Sequence, residues 1–347
     1  MVGAGVMDVF ANLSYEEQVF RLTRAAQSAL ISYSLPLATV KLVLYVHNAM
    51  FKVITPTGEQ YALRLQLSQR SKPINQTRSE LRWLSAIHRD TTLRVPEPVL
   101  SDQGYITFQP VEGVQEPVSV VLFRWLEGAS PGHTLTVNQA AQAGQFMGQL
   151  HAHSRQYAVP GDFDRPYFDW EGLFGESSIY FPGENRAIFT SEQALIFDWV
   201  AESMATTLTA LAERPGSFGL IHADFILKNI LFTSTEVAAI DFDDSGFGFY
   251  LYDLAPLLLQ LLDQPNYVDL RAAWLDGYRA VQPLSSEDEG LIETMIAARL
   301  LRSCYWIACN LHNPNIRSQA PAMLEYRAAT LRDYLNTGRV SRRGDQF

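Results

Sequence analysis

Two short apolar runs lie close together in the second half of the 347-residue chain, and they constrain the fold more than any other feature. The runs 229–232 and 237–240 have the length and composition of strands, and the four polar residues between them are typical of a turn. A hairpin of these strands would return Asp241 to the neighbourhood of Asn229. Because Asp224 precedes Asn229 by only five residues, we predict that all three side chains share one site.

The chemistry of these three side chains suits phosphoryl transfer assisted by a metal ion. Asp224 can accept the proton of an attacking hydroxyl, whereas the amide oxygen of Asn229 and the carboxylate of Asp241 are hard ligands for Mg²⁺. That reaction depends mainly on positioning and charge neutralisation, so two protein ligands and the substrate phosphates suffice for the metal. Taken singly, Asp224 and Asn229 could be turn residues and Asp241 a strand-end cap. The complete ordered set favours the site.

The same residues carry a resemblance to a known family. The segment H-A-D-F-I-L-K-N-I-L, followed by I-D-F-D-D-S-G-F-G and Y-D-L-A, resembles the aminoglycoside phosphotransferase and choline kinase family, over about residues 40–313. The resemblance implies an α+β, protein-kinase-like fold of two lobes. Residues 1–126 would form a small antiparallel-sheet lobe that binds nucleotide, and residues 127–347 a larger, mainly helical lobe for catalysis and acceptor binding. ATP would be the co-substrate, with Mg²⁺ as cofactor.

Hydrophobic periodicity along the chain agrees with this division. A leading helix is followed by strands with one helix among them, and long helical patterns follow after residue 127. The predicted strands lie near residues 40–46, 50–54, 60–65 and 118–125, and the predicted helices near 14–32, 76–88, 136–153, 191–213 and, as four or more segments, within 252–335.

The resemblance also assigns supporting roles near the catalytic segment. His222 would pack inward and hold the loop. Asp253 would anchor that loop from beneath, and as the N-cap of the apolar helix that follows it would satisfy orphan amides with or without the anchoring role. Asp243 and Asp244 would either contact metal or substrate or cap the next turn. Protein kinases carry a lysine that meets the γ-phosphate at the position of Ile226, and Lys228 could serve instead. Adjacent positions on an extended loop point to opposite sides, however, so Lys228 is expected to face solvent.

Nucleotide-binding residues are expected in the amino-terminal lobe. By position in the family, Arg64 would neutralise the α- and β-phosphates and Glu80 would hold it, although the two could instead form an ordinary surface pair. The loop 45–49 lies where a phosphate-covering lid is expected, but it contains no glycine, so Asn48 or backbone amides would have to serve. The backbone around Phe123 and Trp125 would read the adenine edge.

The acceptor pocket is the least defined part of the sequence. The irregular segment 155–185 contains Asp169 and Trp170, and a later helix carries Arg302 and Trp306, so these residues are candidate acceptor contacts. Most aromatic residues, however, belong to protein cores. Suitable acceptors by resemblance are an aminoglycoside, choline, homoserine or hydroxylysine.

Composition limits the partners. The formal net charge of −10 argues against nucleic acid and is compatible with a cationic acceptor, although many proteins are acidic for solubility alone. No run approaches the roughly 18 apolar residues of a membrane span, and the amino terminus lacks a secretory pattern, so a cytoplasmic protein is expected. The oligomeric state is not predicted.

Two other functions fit parts of the sequence. A bacterial Ser/Thr protein kinase could use the same fold, but Ile226 stands where protein kinases carry a lysine, and Asp243 where they carry a glycine. A catalytically silent nucleotide-binding module is the alternative from another class. It is favoured by Arg64 and the glycine-free lid and opposed by the complete set of Asp224, Asn229 and Asp241.

Overall fold

A computed structural model describes residues 10–45, 48–67 and 73–341 of the chain. No helix in these ranges is both long enough and apolar enough to cross a bilayer.

The chain divides into two compact units. The first comprises Met1–Glu127 and Pro160–Asp164, and the second comprises Gly128–Val159 and Arg165–Phe347. Assignment of nucleotide binding to residues 1–126 and of catalysis to residues 127–347 stays a prediction.

The first unit is built on a five-stranded antiparallel sheet with two helices. Its strands pair in the order β1-β2-β3-β5-β4. The elements are α1 (Tyr15–Ala29), β1 (Thr39–Tyr45), β2 (Asn48–Ile54), β3 (Gln60–Gln66), α2 (Ile74–Asp90), β4 (Thr107–Gln109) and β5 (Val118–Arg124), after a short 3-10 helix at Phe10–Asn12.

Helix α1 forms because its sequence supplies both a cap and an apolar face. The hydroxyl of Ser14 accepts a hydrogen bond from the amide of Glu17 at 3.2 Å, which satisfies one of the orphan amides of the first turn. Leu22 and Ala26 repeat at helical spacing and are fully buried, in one core with sheet residues such as Phe51. The predicted helix is therefore confirmed, with its end a few residues earlier than expected.

The second unit is mainly helical, and its strands are short. The helices are α3 (Val137–Gln156), α4 (Trp170–Phe174), α5 (Ser191–Ala212), α6 (Tyr250–Asp253), α7 (Ala255–Leu261), α8 (Tyr267–Arg279), α9 (Ser286–Gly290), α10 (Ile292–Cys309) and α11 (Pro314–Thr337). The strands are β6 (Tyr167–Phe168), β7 (Phe218–Ile221), β8 (Ile230–Phe232), β9 (Val237–Ala239) and β10 (Gly246–Phe249). The α+β class, with an antiparallel sheet first and helices after it, is confirmed.

Helices α3 and α8 pack backbone against backbone. A Cβ atom at Gly144 would lie 2.1 Å from the carbonyl oxygen of Trp274, and one at Gly277 would lie 2.1 Å from that of Ala141. Only glycine permits this approach, since real Cβ contacts are never so short. The close packing brings His151 of α3 next to Tyr278 of α8, and both residues belong to the support of the candidate site.

The predicted hairpin of β8 and β9 is confirmed. Ile230 pairs with Ala239 in antiparallel register, and the turn is closed by a hydrogen bond from the amide of Thr233 to the carbonyl of Glu236 at 3.0 Å. The amide of Ile240 then donates to the carbonyl of Asn229 at 2.9 Å. This last bond holds the residue before Asp241 against Asn229.

A second small sheet was not predicted. Strands β6, β10 and β7 form it, in that order, with β6 parallel and β7 antiparallel to β10. Sequence patterns miss it because β6 has only two residues and β10, Gly-Phe-Gly-Phe, alternates glycine with phenylalanine in a segment rich in both. The connection 155–185, expected to be irregular, therefore contributes a strand and helix α4.

Candidate active site

The carboxylate of Asp253 holds the segment that contains Asp224. Its Oδ2 accepts the amide of His222 and its Oδ1 accepts the amide of Ala223, both at 2.7 Å. Asp253 is the last residue of α6 and fully buried, and Leu254, at the N-cap position of α7, makes no side-chain cap. The N-cap alternative for Asp253 is therefore wrong, because its side chain turns away from α7 and towards the loop.

A buried histidine completes the partners of Asp253. His151 places Nε2 3.1 Å from Asp253 Oδ2 and Nδ1 3.0 Å from the hydroxyl of Tyr278. Burial lowers the pKa of His151, and the carboxylate of Asp253 opposes this only in part. The imidazole is therefore neutral, so Nε2–H donates to Asp253 and the tyrosine hydroxyl donates to Nδ1.

His222 joins this loop to the end of the hairpin. Its Nδ1 accepts the amide of Asp224 at 3.3 Å, which leaves Nε2–H to donate to the carbonyl of Ile240 at 3.1 Å. The ring is fully buried, and its centroid lies 4.5 Å from that of Phe242. The imidazole of His222 therefore links the backbone of Asp224 to the residue that precedes Asp241.

Asp224 and Asn229 contact each other directly. The Nδ2 of Asn229 donates to the backbone carbonyl of Asp224 at 2.9 Å and to its Oδ2 at 3.1 Å, which leaves Oδ1 of Asn229 as the atom that can face a cation. The other carboxylate oxygen of Asp224 forms an ion pair with Nη2 of Arg299 from α10. Lys228, between them in sequence, is exposed, as expected.

Arg299 was not predicted as a site residue. Its side chain is only 14% exposed, like that of Asp224. Burial disfavours the charge of Arg299, but Asp224, Tyr252 and Asp244 together more than offset this and raise the pKa of Arg299. The available signal was Ala297-Ala298-Arg299-Leu300-Leu301, an arginine inside an apolar helical run, where a charged side chain must find a partner.

Asp241 lies in a crowded group of carboxylates. It adopts left-handed backbone angles (φ 68°, ψ 58°), and its pKa is raised to about 7, first by desolvation and then by repulsion from Asp243, Asp244 and Asp224. Asp241 is nevertheless exposed to solvent, so a cation can reach its carboxylate and reverse the repulsion from the neighbouring carboxylates.

The donor set fits Mg²⁺ bound together with a polyphosphate. Asn229 and Asp241 would supply two oxygen ligands, and Mg²⁺ commonly combines one or two protein ligands with substrate phosphates and water. In residues 10–45, 48–67 and 73–341, no cluster of three or more His, Cys, Asp or Glu side chains could hold a metal by itself.

Arg165 fixes the turn after Asp241, and it was not predicted. Its guanidinium donates to the carbonyls of Ser245 and Asp243 at 2.6 Å each, and to that of Phe242 at 3.2 Å. The side chain is buried. These bonds set the path of the short 3-10 helix Phe242–Asp244 and therefore the positions of its two carboxylates.

A second buried arginine lies beside that turn. Arg302, which is 2% exposed, lies between the rings of Phe168 and Tyr180, with its Cζ 5.1 and 4.6 Å from their centroids. Its Nη2 is 3.9 Å from Oδ2 of Asp244, and the hydroxyl of Tyr180 is 3.5 Å from the same oxygen. The sequence pattern indicated Arg302 as a possible acceptor contact but gave no indication of Tyr180.

In the first unit, Arg64 and Glu80 form a bidentate ion pair. Nη1 and Nη2 of Arg64 donate to the two carboxylate oxygens at 2.9 Å each, and both side chains are buried. The alternative of an ordinary surface pair is therefore wrong. The guanidinium also lies 5.3 Å from the ring centroid of Phe123 on β5. Contact with phosphates stays a prediction.

The other nucleotide-binding candidates belong to the sheet or its edge. Asn48 is half-buried in β2 opposite Gln66, while residues 46 and 47 of the proposed lid lie outside the described residues. The amide of Trp125 donates to the carbonyl of Gln60 at 3.1 Å, and its ring lies 4.2 Å from Nζ of Lys52. Adenine recognition there stays a prediction.

The predicted acceptor contacts have structural partners. Asp169 caps α4 by accepting the amide of Gly172 at 2.8 Å, and the indole of Trp170 donates to the carbonyl of Ala201 at 2.8 Å. Trp306 is half-buried within α10. The contacts of Asp169 and Trp170 account for these two residues without a ligand, and the role of all three residues in acceptor binding stays a prediction.

The chain is similar to known proteins along most of its length. The profile described as the phosphotransferase enzyme family matches residues 45–286. An uncharacterized protein of Deinococcus radiodurans is 30% identical over 217 residues, and the match spans 60% of each chain. A homoserine kinase of Xanthobacter autotrophicus is 26% identical over 268 residues, 74% of this chain and 75% of the relative.

The fold also matches a solved structure. A microcompartment-associated aminopropanol kinase superimposes with a TM-score of 0.79 at 28% identity, over 91% of this chain and 98% of the other. The similarity agrees with the predicted kinase-like fold.

Proposed function

Because the chain belongs to the phosphotransferase enzyme family, we propose that it transfers the γ-phosphoryl group of ATP to a hydroxyl of a small molecule, with Mg²⁺. The predicted family is confirmed by this membership, and the relatives named as kinases agree with the predicted enzyme class. One observation supports the proposal most strongly: Asp224, Asn229 and the end of the hairpin that carries Asp241 are linked by direct hydrogen bonds.

Asp224 is proposed as the general base. Its carboxylate lies on a loop fixed by Asp253 and is oriented on one side by Asn229 and on the other by Arg299. General-base action of this kind contributes about 10²- to 10⁴-fold to the rate. Arg299 acts through Asp224 in this proposal and is therefore a positioning residue.

Asn229 and Asp241 are proposed to hold Mg²⁺. The bound ion supplies charge neutralisation at the transferring phosphoryl group. A cation also offsets the repulsion among Asp241, Asp243 and Asp224 that raises the pKa of Asp241. In the first unit, Arg64 is proposed to contact the nucleotide phosphates, with its guanidinium held in the bidentate pair with Glu80.

The acceptor is proposed to be a small hydroxylated metabolite, as the names of the homoserine and aminopropanol kinases suggest. The phosphorylation of protein serine or threonine by the same fold is the first rival. Ile226, at the position of the protein-kinase lysine, disfavours it. A silent nucleotide-binding module is the second rival.

Thermal-shift titration and ADP release together test the proposal. Wild-type protein should be stabilised by ATP with Mg²⁺, and Asp241→Asn should lose the dependence on the metal. The control Asp276→Asn, which changes an exposed carboxylate on α8, should respond like wild type. Absence of any shift with ATP under every metal condition would contradict the nucleotide site.

A second measurement separates the rivals. ADP release should appear with one or more hydroxylated amines, amino acids or amino sugars, and Asp224→Asn should bind ATP normally but lose activity by about 10²- to 10⁴-fold. Binding without turnover over the whole acceptor panel supports the silent module, whereas incorporation of phosphate into protein only supports the protein kinase.

A further inference from the structure

Arg302 carries a buried charge that its protein neighbours satisfy incompletely. Its Nε and Nη2 atoms are buried and have no hydrogen-bond partner, and the residue as a whole is 2% exposed. The nearest carboxylate oxygen, Oδ2 of Asp244, is 3.9 Å from Nη2, which is beyond hydrogen-bond distance. Buried guanidinium groups are normally paired and hydrogen-bonded, so this exception points to a missing partner.

The surroundings of Arg302 restrict where that partner can lie. The rings of Phe168 and Tyr180 lie 5.1 and 4.6 Å from its Cζ. Aromatic rings stack on the face of a guanidinium and leave its N–H groups, which lie in the plane, for a hydrogen-bond acceptor. A planar carboxylate matches that edge with two parallel hydrogen bonds.

The unsatisfied charge lies next to the proposed base. Arg302 follows Arg299, which contacts Asp224, by three residues on α10, so the Cα atoms of the two arginines are separated by roughly 4.5 Å along the helix axis. Desolvation raises the pKa of the Tyr180 phenol, and the charges of Asp244, Arg302, Asp224 and Arg299 all act on it as well. These side chains therefore lie near one another within the second unit.

These charges match a zwitterion. Nη2 of Arg302 and Oδ2 of Asp244 are 3.9 Å apart, so a ligand whose ammonium and carboxylate share one carbon atom can place each group beside the opposite charge. We propose, on the basis of the proposed function, that the acceptor is a hydroxylated α-amino acid. Its carboxylate binds Arg302, its ammonium group faces Asp244, and its side-chain hydroxyl reaches Asp224.

Other acceptors leave part of this arrangement unused. An amino alcohol supplies an ammonium group for Asp244 but nothing for Arg302. A phosphorylated acceptor would bring two negative charges next to Asp244, whose carboxylate opposes them. The ligand enters where Tyr180 now covers Arg302. Tyr180 is only half-buried, and its sequence neighbours Ile179 and Phe181 are each 41% exposed.

Homoserine and 3-amino-1-propanol test the proposal directly, because they differ only by the carboxylate. Wild-type protein should phosphorylate homoserine with a kcat/KM about 10- to 100-fold higher, the difference expected for a charged hydrogen-bonded pair. Serine with ethanolamine, and threonine with 1-amino-2-propanol, provide two further matched pairs. Equal or higher kcat/KM for the amino alcohols across all three pairs would overturn the proposal while the proposed function stands.

The same preference should depend on Arg302. Arg302→Lys should reduce the ratio of kcat/KM between homoserine and 3-amino-1-propanol by about tenfold or more, mainly through KM for homoserine, since lysine cannot make the bidentate contact. The matched control Arg332→Lys, on the exposed face of α11, should keep the wild-type ratio. An unchanged ratio in folded Arg302→Lys would overturn the role of this residue.

The outcomes also separate this inference from the function on which it rests. If Arg302→Lys does not fold, the wild-type ratios decide alone. Phosphorylation that requires an acceptor without a carboxylate overturns the inference and leaves phosphotransfer intact. No binding of ATP with Mg²⁺ in the thermal-shift titration contradicts the proposed function itself, and the inference with it.

Discussion

The carboxylate of Asp253 offers a test of how the loop that carries Asp224 is held. We expect Asp253→Asn to lower the free energy of unfolding strongly, although asparagine has nearly the same shape as aspartate. The carboxylate accepts three hydrogen bonds, two from the amides of His222 and Ala223 at 2.7 Å and one from His151 at 3.1 Å. All of these groups are buried.

The magnitude follows from what an amide cannot accept. Asparagine keeps one carbonyl oxygen but places an NH₂ group against a backbone N–H that must donate. One hydrogen bond to a charged acceptor, about 1.5–3 kcal/mol, is lost. One buried donor is left unsatisfied, at about 1–3 kcal/mol. After local relaxation we expect a loss of about 3–5 kcal/mol, a large part of the roughly 5–15 kcal/mol by which domains are stable.

Urea unfolding followed by circular dichroism measures this change. The control Asp276→Asn removes a carboxylate that is 70% exposed and pairs with Arg279 on the same helix, so its loss should stay below about 0.5 kcal/mol. A loss of less than about 1 kcal/mol in Asp253→Asn would refute the reasoning. It would mean that the loop is held by other contacts.

Three further predictions concern the same support. Ala223 has φ 65° and is buried, so Ala223→Gly relieves about 1–2 kcal/mol of backbone strain, which offsets the lost methyl group and the added chain entropy. The free energy of unfolding in urea should therefore change by less than about 1 kcal/mol, whereas the control Ala297→Gly in helix α10 should lose about 1.8 kcal/mol. Equal losses would contradict the strain at Ala223. Burial lowers the pKa of His151, so the unfolded state takes up the proton first, and the free energy of unfolding should fall as the pH drops below 6.5. Urea titrations at pH 5 to 8 should show a weaker pH dependence for His151→Asn. An unchanged pH dependence would assign it to other groups. Arg165→Met removes three hydrogen bonds, two of them buried, and should lower the free energy of unfolding in urea by about 3 kcal/mol and kcat, measured by ADP release, at least tenfold. Full activity would show that the turn keeps its path without Arg165.

Patterns in the sequence were sufficient where the signal is local. Helix α1 has its cap and apolar face within one segment, and the hairpin of β8 and β9 has two apolar runs around a polar turn. The order of Asp224, Asn229 and Asp241 could be interpreted for the same reason, because a loop and a tight hairpin keep them close. The resemblance to a family added the fold and the expected ATP and Mg²⁺.

Contacts between distant segments were not predictable from local pattern. Arg299 lies 75 residues after its partner Asp224, and Arg165 lies 77 to 80 residues before the carbonyls that it binds. Asp253 precedes an apolar helix, which suggested an N-cap, but three donors from the loop and α3 compete for its carboxylate. Such competition depends on which donors packing brings within reach.

The sequence by itself determined the reaction type that the chain can support, since three oxygen-bearing side chains at short spacing stay together in any fold that forms the hairpin. Only the tertiary structure decided what surrounds them. Helix α10 brings two arginines to this region from a distant part of the sequence. Arg299 pairs with Asp224, and Arg302 lies beside Asp244 with its hydrogen bonds incompletely satisfied. Burial made those charges matter, because in a desolvated volume an unpaired charge must find a partner.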